Sequence, residues 1–261
     1  MALKVFVCLA LACSGLFAAS DGRVAVIVEL FTSEGCSSCP PADAVLARLQ
    51  RLQPVENARI IALSEHVDYW NNLGWVDPFS SSQFRARQND YAQAFGVDSI
   101  YTPQMVVNGL VQFVGSDMNE AMTQIHRVAL QPAANVQVHA VQDSKQHDVM
   151  GLVVHVGDVP RLRTSNKSKT QPLDIMLAVT EDNVQSQVQR GENAGRRLRH
   201  VAVVRSFGLI GSIDPRENTE VSMRPTLKLP PAWKREDLHA VVFVQERATR
   251  RILGADTVDL N

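Results

Sequence analysis

The stretch "FTSEGCSSCPPAD", residues 31–43, sets Cys36 and Cys39 two serines apart and follows them with Pro40 and Pro41. Two cysteines at this spacing can exchange a disulfide with a partner, ligate a soft metal, or simply clip a turn. The clip is a weak reason for them, because closing so short a ring removes little chain entropy. A zinc knuckle asks for a second ligand pair, and the chain has no second CxxC. Redox exchange asks for one acidic thiol and one resolving thiol, and it is the reading favoured by these residues. Cys36 is then the attacking thiolate and Cys39 the resolving group.

Further residues could join them. "SEHVDYW" offers Glu65, His66 and Asp68. His66 could stabilise a Cys36 thiolate, deliver a proton, or complete a Cys36–Cys39–His66 site for a soft ion such as Cu(I). It could equally be a hydrogen-bonded loop anchor. Trp70 and Trp75 could wall a substrate groove or pack the loop that carries them. "IYTPQMVV" places Thr102 and Pro103 just before an apolar run. "GENAGRRLRHVAVVR" carries Glu192, Arg196, Arg197, Arg199, His200 and Arg205. It could reach back to the cysteines or bind an anion, but a solvated charged hairpin is the expectation.

The elements that must hold these residues follow from periodicity. "RVAVIVELF", residues 23–31, reads as a buried strand leading straight into the CxxC. Ala42, Val45, Leu46, Leu49 and Leu52 recur at helical spacing, and the two prolines suit a first turn. Cys36 therefore sits near a helix N-terminus, where free N–H groups and the macrodipole lower a thiol's pKa. "ARIIALSEHV" is a second strand, and the aromatic stretch after it a long ordered loop. Ser80 and Gln83 suggest the cap of a second helix that presents Phe84, Tyr91 and Phe95 and stops at Gly96. Asn108-Gly109 predicts a tight hairpin, and residues 116–131 a last helix with Met118, Met122, Ile125 and Ala129 inward. After "QPAAN" the pattern turns to about seven short strands, which predicts a β-sandwich-like half. "RLRTSNKSKTQP" reads as a polar loop. The expected fold is α/β plus all-β, with a thioredoxin-like domain over residues 21–131 and a β-rich domain over 136–261.

The order strand, CxxC, helix, strand, then X-Pro-strand-turn-strand-helix resembles the thioredoxin superfamily. That resemblance implies a cis bond at Thr102–Pro103, facing the cysteines and shaping the substrate surface; the other reading is a trans proline at a strand edge. Longer stretches carry a narrower likeness: "ELFTSEGCSSCPPAD", "LSEHVDYWNNLGWVDPFSSSQFRARQNDYA", "IYTPQMVVNG", "FVGSD" and "GENAGRRLRHVAVVR". Together they resemble a family of exported thioredoxin-like proteins that carries a domain of unknown function, over nearly the whole mature chain. Ala202 stands where that pattern expects asparagine. The resemblance supplies no substrate.

"MALKVFVCLALACSGLFAAS" has a lysine, an apolar run over residues 5–19, and small residues at Ala18, Ala19 and Ser20. This reads as a secretory signal peptide over residues 1–20, with cleavage after about residue 19. Cys13 offers a lipoprotein alternative, set aside because Ala10 stands where leucine is usual. Export removes Cys8 and Cys13 and places Cys36 and Cys39 in an oxidising compartment, periplasmic or secreted. The expected partners are protein thiols or disulfides there, with the Cys36–Cys39 disulfide in place of a cofactor. With 45% hydrophobic and 20% charged residues and a net charge of −1, the 261-residue chain is neither disordered nor built to bind nucleic acid. No other apolar stretch is long enough to span a bilayer. A different class stays open: a binding module whose sandwich recognises a partner and whose CxxC is vestigial.

Overall fold

The computed structural model describes residues 22–142, 148–160 and 172–261. The expected signal peptide and most of the polar stretch at 161–172 lie outside the described residues. Among the described residues three α-helices, α1 (Pro40–Leu52), α2 (Ser82–Phe95) and α3 (Met118–Ala129), fall in the N-terminal half. The strands there are β1 (Val24–Thr32), β2 (Ala58–His66), β3 (Gln104–Val107) and β4 (Val111–Val114). The C-terminal half is strand-rich: β5 (Asn135–Gln142), β6 (Val149–Gly157), β7 (Leu173–Glu181), β8 (Val184–Gln187), β9 (Arg197–His200), β10 (Val203–Ile213), β11 (Val221–Met223), β12 (Thr226–Lys228), β13 (Leu238–Glu246) and β14 (Ile252–Asp259). The fold is mixed α/β with a β-rich C-terminal half. Among the described residues no helix is long and apolar enough to cross a membrane.

β1 is apolar throughout because both its faces are covered. Val26, Val28 and Leu30 pack with α1 and α3, while Ile27 and Phe31 pack with α2. β2 runs parallel beside it in register, Val24 opposite Ala58 and Thr32 opposite His66. In α1, Pro40 and Pro41 fill the first turn and Ala42, Leu46 and Leu49 are buried, but Leu52 lies half exposed beyond the stripe. The N-cap of α2 is Ser81, which accepts from Gln83 N; the expected Ser80 instead donates to the Asp77 carbonyl. α3 is capped by Asp117. The Asn108-Gly109 turn forms, both residues at positive φ, and Asn108 also accepts from Ile27 N and so ties the hairpin to β1.

The boundary expected near residues 131–136 falls between α3 and β5, but strand pairing crosses it. β10 joins β2 in parallel at Val203 and Ser64, so both halves contribute to one sheet ordered β14-β13-β7-β10-β2-β1-β3-β4. That sheet curls enough for Phe243 and Ile252 from one end to share a core with Ile27 of β1 and Tyr91 of α2. A second sheet of β5, β6, β11 and β12 packs on the C-terminal strands around Leu152, Val154, Ile175 and Val242. "EVSMRPTLKL", expected as one strand, is two, broken at Arg224 and Pro225, because proline has no N–H for the ladder. Ala202, just before β10, sits at φ 49, with its N–H on Asp182 and its carbonyl on Ser64 N. Asparagine tolerates that left-handed backbone better than alanine, which gives a physical reason for the asparagine expected there.

Candidate functional site

The chain leaves β1 at Thr32 and reaches α1 through a turn that holds both cysteines. Cys36 and Cys39 form a disulfide, with Cα atoms 5.4 Å apart. Cys39 is the N-cap of α1, its N–H on the Cys36 carbonyl and its own carbonyl taken by Ala42 N and Asp43 N. Ser38 Oγ lies 3.3 Å from Cys36 Sγ. Ser37 and Ser38 are exposed, yet both cysteines are 0% exposed. The disulfide is covered.

Two segments cover it. One is the aromatic loop after β2. A Cβ on Gly35 would come within 3.0 Å of Trp70 Cβ, so Trp70 lies directly against the turn. Its indole Nε1 donates to Thr102 Oγ1 at 2.9 Å. The Thr102–Pro103 bond is cis, and Gln104 pairs with Phe31, so Pro103 stands beside the end of β1. Trp70 thus links Thr102 to the CxxC turn.

The other cover comes from the β8–β9 hairpin, which is not the freely solvated hairpin expected. Gly191 and Gly195, at φ 78 and 79, bend residues 191–195 so that Asn193 points inward and is fully buried. Its Nδ2 donates to the carbonyls of Glu34 and Cys36, each at 2.9 Å. Beside it, Glu192 Oε2 accepts from Ser37 N at 3.0 Å. The arginines of the hairpin stay at its surface, Arg196, Arg197 and Arg199 all being exposed. Sequence reading missed Asn193; the signal was the Gly-x-x-x-Gly frame of "GENAG" around a polar residue.

A buried ionic cluster lies under this cover. Glu34 accepts from Trp75 Nε1 at 2.8 Å and from Ser186, and its Oε1 is 3.3 Å from His200 Nε2. His200 Nδ1 is 3.7 Å from Asp43 Oδ2, and Asp43 accepts from Thr32 Oγ1 at 2.8 Å. His66 stands edge-on to His200, ring centres 4.7 Å apart, and its Nδ1 meets Asp77 Oδ2 at 2.7 Å. Burial alone would depress the His66 pKa, but the Asp77 carboxylate outweighs it and holds the imidazole above its ordinary value. Burial pushes Asp77 up, yet His66 and the N–H groups of Glu34 and Phe79 bring it below the usual range. Asp43 goes the other way: burial raises it, only partly offset by His200, His66 and Thr32. The cluster therefore sets buried carboxyl and imidazole groups beside the CxxC turn. No group of three His, Cys, Asp or Glu residues among the described residues is arranged to hold a metal, and the Nδ1 of His66 faces Asp77 rather than the cysteines.

The His66–Asp77 pair makes a checkable prediction. The stabilisation from His66 is complete below the ordinary histidine pKa and is lost as pH rises through the elevated one. That from Asp77 is complete above the ordinary aspartate pKa and is lost as pH falls through the depressed one. The pair therefore contributes most between about pH 4 and 6.5. Asp77→Asn is expected to lower the His66 pKa below its ordinary value and to cost about 2–3 kcal/mol in that window. An NMR titration of the imidazole and urea unfolding at pH 5.5 check both.

Glu65, the other acid expected beside the cysteines, is not there. Successive residues of a strand face opposite ways, so Glu65 points to the α2 side while His66 points to α1. Asp68 lies further on, within 3.3 Å of Arg85. Glu65 joins Glu29, Arg87 and Tyr91 in a second buried cluster, where Arg87 Nε is 2.5 Å from Glu29 and 3.4 Å from Glu65. Burial and the Glu29 carboxylate hold Glu65 well above the usual carboxylate range. A carboxyl raised in the fold loses stabilisation as pH climbs from the ordinary value toward the raised one. Over that span it lowers stability by about 1.4 kcal/mol per pH unit. Glu65→Gln, which keeps the shape without the proton, should flatten that slope in urea unfolding from pH 5 to 8.

The model of a family described as "Protein of unknown function (DUF1223)" matches residues 27–245. The chain is similar to a protein from Agrobacterium tumefaciens with an X-ray structure: 26% identity and a TM-score of 0.67, covering 92% of this chain and 96% of that one. A domain of the outer membrane lipoprotein Omp28 from Porphyromonas gingivalis aligns at 14% identity and a TM-score of 0.28, over 49% of this chain and 96% of that one, which is too little likeness to argue from. No curated protein matches.

Proposed function

The chain belongs to the DUF1223 family, and from that premise we propose that it is an exported thiol–disulfide oxidoreductase with a thioredoxin-like N-terminal half. The observation that carries the reading is the Cys36–Cys39 disulfide at the start of α1. In the reduced protein the Cys36 thiolate attacks a substrate disulfide and forms a mixed disulfide. Cys39 then attacks Cys36 Sγ, closes the Cys36–Cys39 bond and releases the substrate as a thiol. Two electrons pass to the substrate for each cycle, and the two thiol protons pass with them. In this reading Asp43, in the first turn of α1, and His66 give and take the thiol protons. Trp70 and Thr102 form the substrate-facing wall beside Pro103. Substrates are protein thiols or disulfides outside the cytoplasm, since the N-terminal twenty residues have the pattern of a secretory signal.

Ser37 and Ser38 put no charge between the cysteines, so the thiolate gains less than in strongly oxidising sites. The pair is expected at a reducing to middle potential, about −270 to −200 mV. Equilibration with glutathione, read by the fraction of Cys36 and Cys39 open to alkylation, measures it. A value of about −120 mV would refute that poise. A pair that the folded protein never opens in dithiothreitol would refute the function.

A further inference from the structure

The disulfide of a protein that trades electrons with other proteins is here out of reach. Both cysteines are 0% exposed, and the group over Cys36 comes from 157 residues downstream. The β8–β9 ribbon is four residues on each strand and pairs with neither larger sheet. The ribbon continues the antiparallel β7–β10 pair, so the large sheet holds its base, while its tip stays down through what it touches. Its polar anchors converge on the CxxC turn: Asn193 on the Glu34 and Cys36 carbonyls, Glu192 on Ser37 N, Ser186 and His200 on the Glu34 carboxylate.

We propose that residues 191–195 form a removable cap on the cysteine pair, with Asn193 as its latch and Glu192 as the residue that keeps Cys36 quiet while the cap is down. This rests on the redox reading above and deepens it by assigning two positioning residues. Asn193 spends both amide hydrogens on backbone carbonyls, while its Oδ1 has no partner among the described residues. It is a latch of two bonds, and lifting it frees two carbonyls that a cysteine-bearing polypeptide segment can repay with its own N–H groups. Glu192 acts by charge. It sits on the backbone N–H next to Cys36, where the turn before α1 would otherwise offer that N–H to an anion. A carboxylate there opposes a thiolate on Cys36. The other ionisable groups around the turn are Glu34, Asp43, His66, Asp77 and His200, all buried or nearly so. Glu192 lies on the solvent side, with the exposed Arg190 and Arg196 near it along the chain, and it leaves when the cap lifts. Closed, the pair is shielded and Cys36 is a poor nucleophile; open, Cys36 is both reachable and more acidic.

The test uses the full mature chain carrying Cys39→Ser, so that Cys36 is a free thiol. Its rate of alkylation by iodoacetamide, a small neutral probe, is followed from pH 5 to 10. Adding Asn193→Ala should raise the plateau rate at least tenfold. Adding Glu192→Gln, isosteric and at the surface, should move the midpoint of the profile to lower pH, which loosened packing alone does not do. Profiles that superimpose on the parent would overturn the cap and leave the redox reading standing. A Cys36 that stays unreactive in all three folded proteins, yet alkylates fully in urea, would overturn the redox reading as well.

Discussion

Replacing Arg87 with methionine should lower the free energy of unfolding by about 3–5 kcal/mol, measured by urea titration at pH 7. Arg87 is the cation of a cluster buried between α2 and the curled sheet. Its Nε lies 2.5 Å from Glu29, its other nitrogens donate to Gln245 Oε1 at 3.1 Å and to Tyr91 OH at 2.9 Å, and Tyr91 OH in turn donates to Glu29. The guanidinium also lies over the rings of Phe207 and Tyr91, 4.7 and 5.0 Å from their centres. Burial alone would make Arg87 a weaker base, but the Glu29 carboxylate outweighs burial and holds it charged. Methionine keeps much of the volume and removes the charge, so Glu29 is left as an uncompensated buried carboxylate. The loss comes from that stranded charge, and a companion change should recover part of it. Glu29→Gln in the Arg87→Met background should be more stable than Arg87→Met alone. A double variant no better than the single one would mean that packing, not charge, sets the cost.

Cys36→Ser should abolish thiol–disulfide exchange, at least a thousandfold in the rate of insulin reduction with dithiothreitol, while leaving the fold intact. The expectation follows from the order of events at the turn. Cys36 lies before the helix, beside the exposed Ser37 and Ser38 and under the Glu192–Asn193 turn. Cys39 is the N-cap itself, its carbonyl already committed to Ala42 and Asp43. Access from solvent therefore comes to Cys36 first, and serine is too weak a nucleophile to replace a thiolate. Far-ultraviolet circular dichroism should not change, because the short ring adds little to stability.

Much of the N-terminal half was legible because its signals are local. The apolar run of β1, the two prolines of α1, the glycine that ends α2 and the Asn108-Gly109 turn each bias a few consecutive residues. The side of β2 on which Glu65 falls was also legible in principle. Counting alternate residues from Leu63 assigns Glu65 to the α2 face, and the spacing to the cysteines along the chain hid that parity. What was not legible depends on long-range closure. Nothing near Val203 says that it pairs with Ser64, and that one parallel contact joins two expected domains into a single sheet. The same holds for Asn193. It reads as a polar residue in a charged hairpin, and its burial follows from β10 carrying the hairpin to the end of β2. His200 likewise reads as one charge among arginines, yet it ends between Glu34 and Asp43.

The central claim is that Cys36 exchanges disulfides with other polypeptides, and trapping tests it most directly. A Cys39→Ser variant of the full chain, expressed with its signal segment and recovered after acid quenching, lacks the thiol that resolves a mixed disulfide. The account predicts adducts that migrate above the monomer on non-reducing gels, collapse with dithiothreitol, and vanish when Cys36 is also serine. Monomer alone, with Cys36 free and alkylatable, would contradict it.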